Sequence, residues 1–388
     1  MQLKLLTLNC WGIPFGISNS VSQRFEAIAE KLVESNYDIV SLQEVWQRQE
    51  YEKLVSRCKS VYPYYTYFRS GMIGAGICVF SRYKISDCFF SSFTLGGIPY
   101  MIHHGDWYAG KGFGICKVTL PDGITALVIS THTHAEYSTD NSRSTYVWLR
   151  MWQLYELASL TRQMGSSCDI TLLMGDINMR PDQLGARLLR SYGGFHEAID
   201  LPDESDISLS TCDRADNRFT SKGIESVLPL GQRIDVVYFN AATHTAVERV
   251  SFMVRPWGAH IEGTDLPYSD HEPLEVVLDV KLTTSKEIPK DDIANRDLIE
   301  TAGVFKEGVQ ALYRYQYHYS IIMFLLSVLL IFINYCEIPF SLVLLMNAVI
   351  IVTLLIFSWH VLLDYPLQAN TLRGAIDNIN THCSIHIK

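Results

Sequence analysis

The sequence predicts a layered α/β domain followed by a two-helix membrane hairpin. Three observations predict it. Short Val-, Ile- and Leu-rich runs alternate with amphipathic stretches over residues 1–281. The composition then changes sharply near Lys281. Beyond a polar stretch come two long apolar runs without a charged residue.

The first element, Leu3–Asn9, reads as a strand with alternating faces. Its apolar run is short and has no small-residue cleavage site, which argues against a signal peptide. Further strands are expected at Asp38–Gln43, Gly76–Ser81, Gly114–Leu120, Ala126–Thr131, Ile170–Gly175, Ile234–Phe239 and Leu274–Val280, bounded by Gly, Pro, Asn or Asp. Helices are expected at Ser22–Glu34, Arg48–Ser60, Ser144–Met164 and Gln183–Arg190. In the first of these, Arg24, Glu26, Glu30 and Lys31 accompany Phe25, Ile28, Ala29 and Leu32 in an amphipathic pattern.

The C-terminal part divides into a polar linker and juxtamembrane helix (282–318), spans at 319–336 and 340–363, and a short tail (364–388). Each span is close to the ~20 residues a helix needs to cross a bilayer. The turn between them, Glu337–Pro339, permits only a tight hairpin. Tyr313, Tyr315, Tyr317 and Tyr319 precede the first span, and Trp359 and Tyr365 lie near the end of the second, where aromatics favour the headgroup level. Lys306, Arg314 and Arg373 lie outside the hairpin and its turn has no basic residue, so both termini and the α/β domain are expected in the cytosol. The first span would cover roughly 27 Å, which suits the thinner endoplasmic reticulum bilayer.

Charge and cysteines narrow the function classes. The net charge is -9 and no segment gathers Lys and Arg into a stripe, which argues against a nucleic-acid partner and against general attraction to anionic lipid. The nine cysteines are odd in number and widely spaced, with no C-x-x-C pair to suggest zinc. They point to a reducing compartment.

Polar residues recur where strands end. Asn9, Glu44, His132, His134, Asp176 and Asn178 follow apolar runs, Asp235 opens one, and Asp270 and His271 precede the last. Singly, each is an ordinary turn former or cap. Together they form a set of carboxylates, amides and histidines with few cations. That set suits a divalent metal and a phosphate ester: Glu44 and Asn9 offer hard oxygen ligands for Mg²⁺. A histidine can take a proton from water near neutral pH, and His271 has two carboxylate candidates to orient it, Asp235 and Asp270.

The segments LNCWG (8–12), LQEVW (42–46), STHTHAEY (130–137), MGDINMRP (174–181), QRIDVVYF (232–239) and SDHEPL (269–274) occur in one order. In that order they resemble the exonuclease–endonuclease–phosphatase superfamily, the fold of DNase I-like enzymes. NCWGIP (9–14), FRSGMIGAGICVFSR (68–82), GGIPYMIHHGDWYAGKG (96–112) and THTHAEY, with the hairpin behind them, are most similar to the small neutral sphingomyelinases with two C-terminal spans. The resemblance implies a four-layer sandwich of two β-sheets flanked by helices. It implies Mg²⁺-dependent hydrolysis of sphingomyelin to ceramide and phosphocholine at a membrane surface. Carried over residue by residue, Glu44 looks like the Mg²⁺ ligand, supported by Asn9, with Asp270 near the metal. His271 looks like the proton acceptor and Asp235 its partner. His132 matches the histidine that contacts the scissile phosphate. Asp176 and Asn178 match the pair that positions phosphate and nucleophile.

Hydrolysis of lysophosphatidylcholine or a related choline lysolipid stays open, since the scissile group is the same. A nuclease or inositol-phosphate phosphatase would call for clustered cations, which are not visible. His134 is open between structural and functional readings. His103, His104, Trp107 and Tyr108 form a polar–aromatic segment that could hold a choline cation, although each alone reads as loop. Arg69, Arg82 and Lys222 could face phosphate but sit by default on a solvated surface.

Overall fold

The computed structural model describes residues 1–99, 101, 104–137, 146–164, 167–199, 207–283 and 292–386. His103, residues 144–145 of the expected third helix and residues 284–291 of the linker lie outside the described residues.

The strands are β1 (Gln2–Asn9), β2 (Ile39–Gln43), β3 (Tyr64–Phe68), β4 (Ile77–Ser81), β5 (Lys84–Ser92), β6 (Gly112–Thr119), β7 (Thr125–His132), β8 (Ile170–Asp176), β9 (His196–Glu197), β10 (Asp235–Ala241), β11 (Thr245–Val254) and β12 (Leu274–Leu282). The helices are α1 (Val21–Ser35), α2 (Arg48–Cys58), α3 (Asp106–Ala109), α4 (Val147–Met164), α5 (Leu184–Ser191), α6 (Lys222–Val227), α7 (Asp292–Ile333), α8 (Phe340–Trp359) and α9 (Tyr365–His386).

The strands form two six-stranded sheets, ordered β11-β12-β1-β2-β4-β3 and β5-β6-β7-β8-β10-β9. Each has one central parallel pair, β1 with β2 and β7 with β8. Period-two alternation sends one row of each strand between the sheets. Leu3, Leu5, Ile39, Val79, Val128, Leu172, Met174, Val237, Val276 and Leu278 meet there in one apolar core. The opposite row of the first sheet, with Leu6, Leu8, Val40 and Leu42, packs on Phe25, Ile28 and Leu32 of α1 and Leu54 of α2. Helices α4 and α5 pack together and flank the second sheet. This is the expected four-layer arrangement.

One expectation fails within α1. Arg24 is not on the water-facing side; it is fully buried. Its guanidinium has buried backbone carbonyls to bond, which an amphipathic pattern does not reveal.

Residues 298–388 form a second compact unit. Here α7 and α8 form a hairpin. Gln316 Nε2 donates to Val361 O at 2.9 Å, Tyr319 packs on Phe357 at 4.9 Å, and Asn347 Nδ2 donates to Asn334 Oδ1 at 3.0 Å. Large apolar side chains point outward along both helices, among them Phe324, Leu325, Ile331, Leu344 and Leu355. Such a surface is unsuited to water and suited to hydrocarbon. The residues read as a tail are helical: α8 runs through a π-helical turn at His360–Asp364 into α9. Helix α9 buries Tyr365, Ala369, Leu372, Ala375 and Ile379 at helical spacing.

Candidate active site

The rows that build the inter-sheet core also deliver the polar cluster. On β1, Leu3 and Leu5 are followed on the same face by Thr7 and Asn9. On β7 the row ends at His132 and on β8 at Asp176, which are in register with each other. Asp235 of β10 faces Asp176 across an antiparallel pair. At this end the apolar core therefore gives way to hydroxyls, amides, carboxylates and imidazoles. Ser41 and Ser130 bridge the two sheets at 2.5 Å, and Thr7 bonds Gln43 at 3.3 Å.

Two residues that continue the strands are held at positive φ, Glu44 at 57° and Asn178 at 47°. Non-glycine residues adopt this conformation at a cost and cluster at functional sites. Glycines permit the close approaches beside them. A Cβ on Gly175, at φ 140°, would lie 2.0 Å from Thr131 O, and one on Gly12 would lie 2.4 Å from Glu44 O.

Asn9 is central. Its Nδ2 donates to Glu44 Oε1 at 3.0 Å and to Asp176 Oδ2 at 3.1 Å. Asp176 Oδ1 accepts from the Asn178 amide at 2.9 Å, and Asn178 Nδ2 donates to Thr133 O at 3.2 Å. His132 Nε2 lies 3.6 Å from Asp176 Oδ2 and 3.9 Å from Glu44 Oε1. His271 Nδ1 lies 2.8 Å from Asp235 Oδ2, while its Nε2 faces Asp176 Oδ2 at 3.9 Å. Ser269 Oγ donates to Asn9 O at 2.6 Å and lies 3.2 Å from Asp270 Oδ1. Thus Asn9, Glu44, His132, Asp176, Asn178, Asp235, Asp270 and His271 converge from six separate segments of the chain.

Burial shapes the electrostatics. It pushes the Asp176 carboxyl up to about 7, helped by the charge of Asp235. It pushes Asp270 up to about 7 as well, helped by Glu44 and opposed by His271 and Arg24. His132 is held well below the usual imidazole range by burial and by Lys111. Burial also disfavours a charged His271, but Cys212 and Asp235 overcome it and hold that ring well above its ordinary value. Burial pushes the Cys212 thiol itself up to about 12.

The donor set fits a divalent cation. Glu44 is bonded by Asn9 and, at 3.4 Å, by Trp46 Nε1, and the carboxylate is part-exposed. Asp176, Asp235 and His271 each offer an atom within 4.8 Å of the others. Asp235 Oδ1 is buried without a hydrogen-bond partner. The oxygens of Glu44, Asn9 and Asp270 are the hard donors a hard dication takes up, and such a charge nearby would offset the orphaned oxygen of Asp235.

Two cations escaped the sequence reading. Lys111 is buried, with Nζ 2.6 Å from Asp106 Oδ1, 2.8 Å from Thr133 O and 2.9 Å from His132 Nε2. Burial raises the Asp106 carboxyl, but Lys111, His134 and Tyr137 outweigh it and hold it well below the carboxylate range. The available signal was Asp106 and Lys111 standing close together in an otherwise apolar segment. The second is Arg24. By contrast, Arg69 and Lys222 are exposed and Arg82 pairs with Asp38 at 3.3 Å.

His134 is structural. Its Nδ1 contacts Ala135 O at 2.8 Å, its ring stacks on Tyr146 at 4.5 Å, and burial lowers it to about 4. His104 stacks on Tyr137 at 3.9 Å, and Tyr108 bonds Pro99 O at 2.7 Å.

Fold and site define a class: a hydrolase of phosphate esters with its polar centre at one end of a two-sheet sandwich. Residues 6–271 match the Endonuclease/Exonuclease/phosphatase family. Sphingomyelin phosphodiesterase 2 of Mus musculus is 36% identical over 292 residues, 74% of this chain and 68% of its own length. A Caenorhabditis elegans relative is 30% identical over 396 residues, 96% of this chain and 89% of its own. Inositol phosphosphingolipids phospholipase C of Schizosaccharomyces pombe is 30% identical over 303 residues, 72% of this chain and 69% of its own. Sphingomyelinase C from Streptomyces griseocarneus has the same fold, with TM-score 0.52 at 19% identity over 71% of this chain and 99% of its own. So does beta toxin from Staphylococcus aureus with bound magnesium ions, at TM-score 0.53 and 19% identity, over 71% of this chain and 99% of its own. The chain belongs to the Endonuclease/Exonuclease/phosphatase family, in its neutral sphingomyelinase branch.

Proposed function

We propose that this protein is a Mg²⁺-dependent sphingomyelin phosphodiesterase that works on the cytosolic leaflet of the membrane holding its hairpin. Water attacks phosphorus, the bond to the ceramide oxygen breaks, that oxygen takes a proton from solvent, and ceramide and phosphocholine leave. In its neutral form His271 Nε2 takes the water proton, and Asp235 holds the ring through Nδ1 and stabilises the charged form that results. Asn178 and His132 orient the phosphate oxygens, with His132 neutral in its buried place. Asp176 aligns the attacking water. Glu44, with Asn9 and Asp270, would hold Mg²⁺, which when bound neutralises phosphate charge and stabilises the leaving oxygen.

The observation that carries the lipid reading is an apolar fringe at the site end of both sheets. Strand pairing places three loops there: 10–20 after β1, 69–76 before β4 and 93–111 before β6. They expose Phe15 (94%), Ile17 (62%), Met72 (76%), Ile73 (45%) and Trp107 (47%). Loops 69–76 and 93–111 touch, since the Met72 amide donates to Tyr108 O at 2.8 Å. Loop 10–20 has no charged residue, and Asp106 and Lys111 are buried against each other. Among the described residues of these loops Arg69 is the exposed formal charge, and an apolar rim with so few charges suits a zwitterionic lipid surface and not a soluble polyanion. The free cysteines and the flanking Lys306, Arg314 and Arg373 support the cytosolic side, and an internal membrane such as the endoplasmic reticulum.

The test is a substrate panel with the purified full chain in mixed micelles, each arm with Mg²⁺ and with chelator. It compares sphingomyelin, lysophosphatidylcholine, an inositol phosphosphingolipid and DNA. Sphingomyelin is expected to turn over fastest, and only with metal. Preference for a lysolipid or for the inositol lipid would overturn the substrate, and full activity in chelator would overturn the metal.

A further inference from the structure

Arg24 lies on α1, outside the polar cluster, yet no part of its side chain reaches solvent. A buried guanidinium needs its donors satisfied, and here the partners are all backbone carbonyls. Nε donates to Asn19 O at 2.8 Å, Nη1 to Cys10 O at 2.7 Å and to Tyr268 O at 3.1 Å, and Nη2 to Trp11 O at 2.7 Å. The planar group also stacks against Trp11 at 5.1 Å and Phe219 at 5.7 Å.

These carbonyls belong to the two segments on which the site depends. Cys10 and Trp11 follow Asn9, and the Trp11 amide donates back to Asn9 Oδ1 at 3.0 Å. Trp11 sits at φ 47°, a conformation that surrounding contacts must hold. Tyr268 precedes Ser269, Asp270 and His271. The second segment is also held by Ser269, through Asn9 O, by Asn217, whose Nδ2 donates to Ser269 O at 2.9 Å, and by Asp235 at His271 Nδ1, but Arg24 bonds both segments at once.

We infer that Arg24 is a positioning residue that fixes the metal-side segment 9–11 against the base-side segment 268–271, and so sets the spacing of Asn9, Asp270 and His271. A fork of five donors at fixed angles can do this, whereas the lysine ammonium is a single point that cannot reach all four carbonyls. Partners that orient metal ligands typically change metal affinity or activity by about 10–100-fold when lost.

The inference rests on the functional reading above, and the test separates the two. Full-length wild type, Arg24→Lys, Arg24→Met and Leu32→Ala are purified in detergent micelles. Leu32 is buried on the same helix and offers no hydrogen-bond donor in its side chain, so it controls for the loss of core packing. Each protein is assayed for Mg²⁺ affinity by calorimetric titration without substrate, for kcat and KM on sphingomyelin, and for Tm. Arg24→Met is expected to weaken Mg²⁺ binding and lower kcat by about 10–100-fold with little change in KM. Arg24→Lys should recover part of both. Leu32→Ala should lower Tm and leave Mg²⁺ affinity intact. If both Arg24 variants bind Mg²⁺ and turn over like wild type, whatever their Tm, Arg24 is only a core residue and the inference falls. Should Arg24→Met not fold, Arg24→Lys decides alone. If wild type neither binds Mg²⁺ nor cleaves sphingomyelin, the functional reading falls and takes this one with it.

Discussion

The two ends of the inter-sheet layer are built from the same rows of residues and do opposite things. At one end Leu5, Ile39, Val128 and Leu172 are fully buried against each other. At the other, Asn9, His132, Asp176 and Asp235 are as buried but polar or charged. A strand does not distinguish core from site; alternation directs both inward. The apolar end gains from burial, and the polar end bears a desolvation cost that only hydrogen bonds, ion pairs or a bound cation can offset. The raised carboxyls of Asp176 and Asp270 are that cost made visible.

The largest expected effect separates the ends directly. His271→Ala removes the proposed proton acceptor at the polar end. It should lower kcat by about 10²–10⁴-fold with little loss of Tm. Leu172→Ala, two turns of the pleat away from Asp176 on the same face, opens a cavity in the apolar end. It should cost about 2–5 kcal/mol in denaturant unfolding and leave kcat per folded molecule unchanged. If His271→Ala turned over like wild type, or if Leu172→Ala lost activity while folded, the division between the ends would be wrong.

The second prediction uses pH. His134 sits behind the polar end, and burial lowers it to about 4 from an ordinary 6.5. The unfolded chain therefore takes up a proton between those values that the folded ring refuses. A depressed folded pKa means that the neutral ring's stability is present above about 6.5 and is lost as pH falls towards about 4. Asp106 has the same sign, but its loss starts only below the ordinary carboxylate value. His134→Gln lacks the titration. Relative to wild type it should gain up to about 3 kcal/mol between pH 7.5 and pH 4.5, read from paired urea curves. A constant difference across that range would mean that the fold does not shift His134, and a difference of opposite sign that the folded ring is held charged.

Much of this was legible in the sequence. The rows on β1, β7 and β8 announce themselves because Val, Ile and Leu alternate up to a terminal polar residue. The strands not foreseen, β3, β5 and β11, carry exposed residues along much of their length, and β9 has two residues. Sheet-edge strands such as β3 and β11 bury too little to keep a clean alternation. Arg24 and Lys111 were missed for another reason. Beyond the nearby Asn19 and Asp106, their partners are carbonyls and side chains brought in by the fold, such as Tyr268 O for Arg24 and His132 for Lys111, which no local pattern encodes. The helical state of residues 365–386 was hidden because its buried stripe, Tyr365, Ala369, Leu372, Ala375 and Ile379, is sparse and includes small residues.

The smallest effect concerns the outside of the same two ends. Loops at the site end expose Phe15, Met72 and Trp107, whereas the far-end turns 82–83, 120–124 and 242–244 expose no large apolar side chain, and Tyr64, Tyr65 and Leu282 are exposed there only at strand ends. Burying one such side chain in lipid contributes about 1.5–3 kcal/mol at full desolvation, and a loop tip at an interface realises only part of that. With the hairpin already confining the chain to the bilayer, the rim would adjust the distance and tilt of the site and would not supply the attachment. Phe15→Ser with Met72→Ser should therefore lower turnover of sphingomyelin in phosphatidylcholine vesicles by about threefold to tenfold. Hydrolysis of a water-soluble short-chain sphingomyelin below its micellar concentration should not change, because both side chains are exposed and neither is a hydrogen-bond or ion-pair partner in the cluster. An equal loss on both substrates would mean that the substitutions disturb the site itself, and no loss on vesicles would mean that the fringe does not meet lipid.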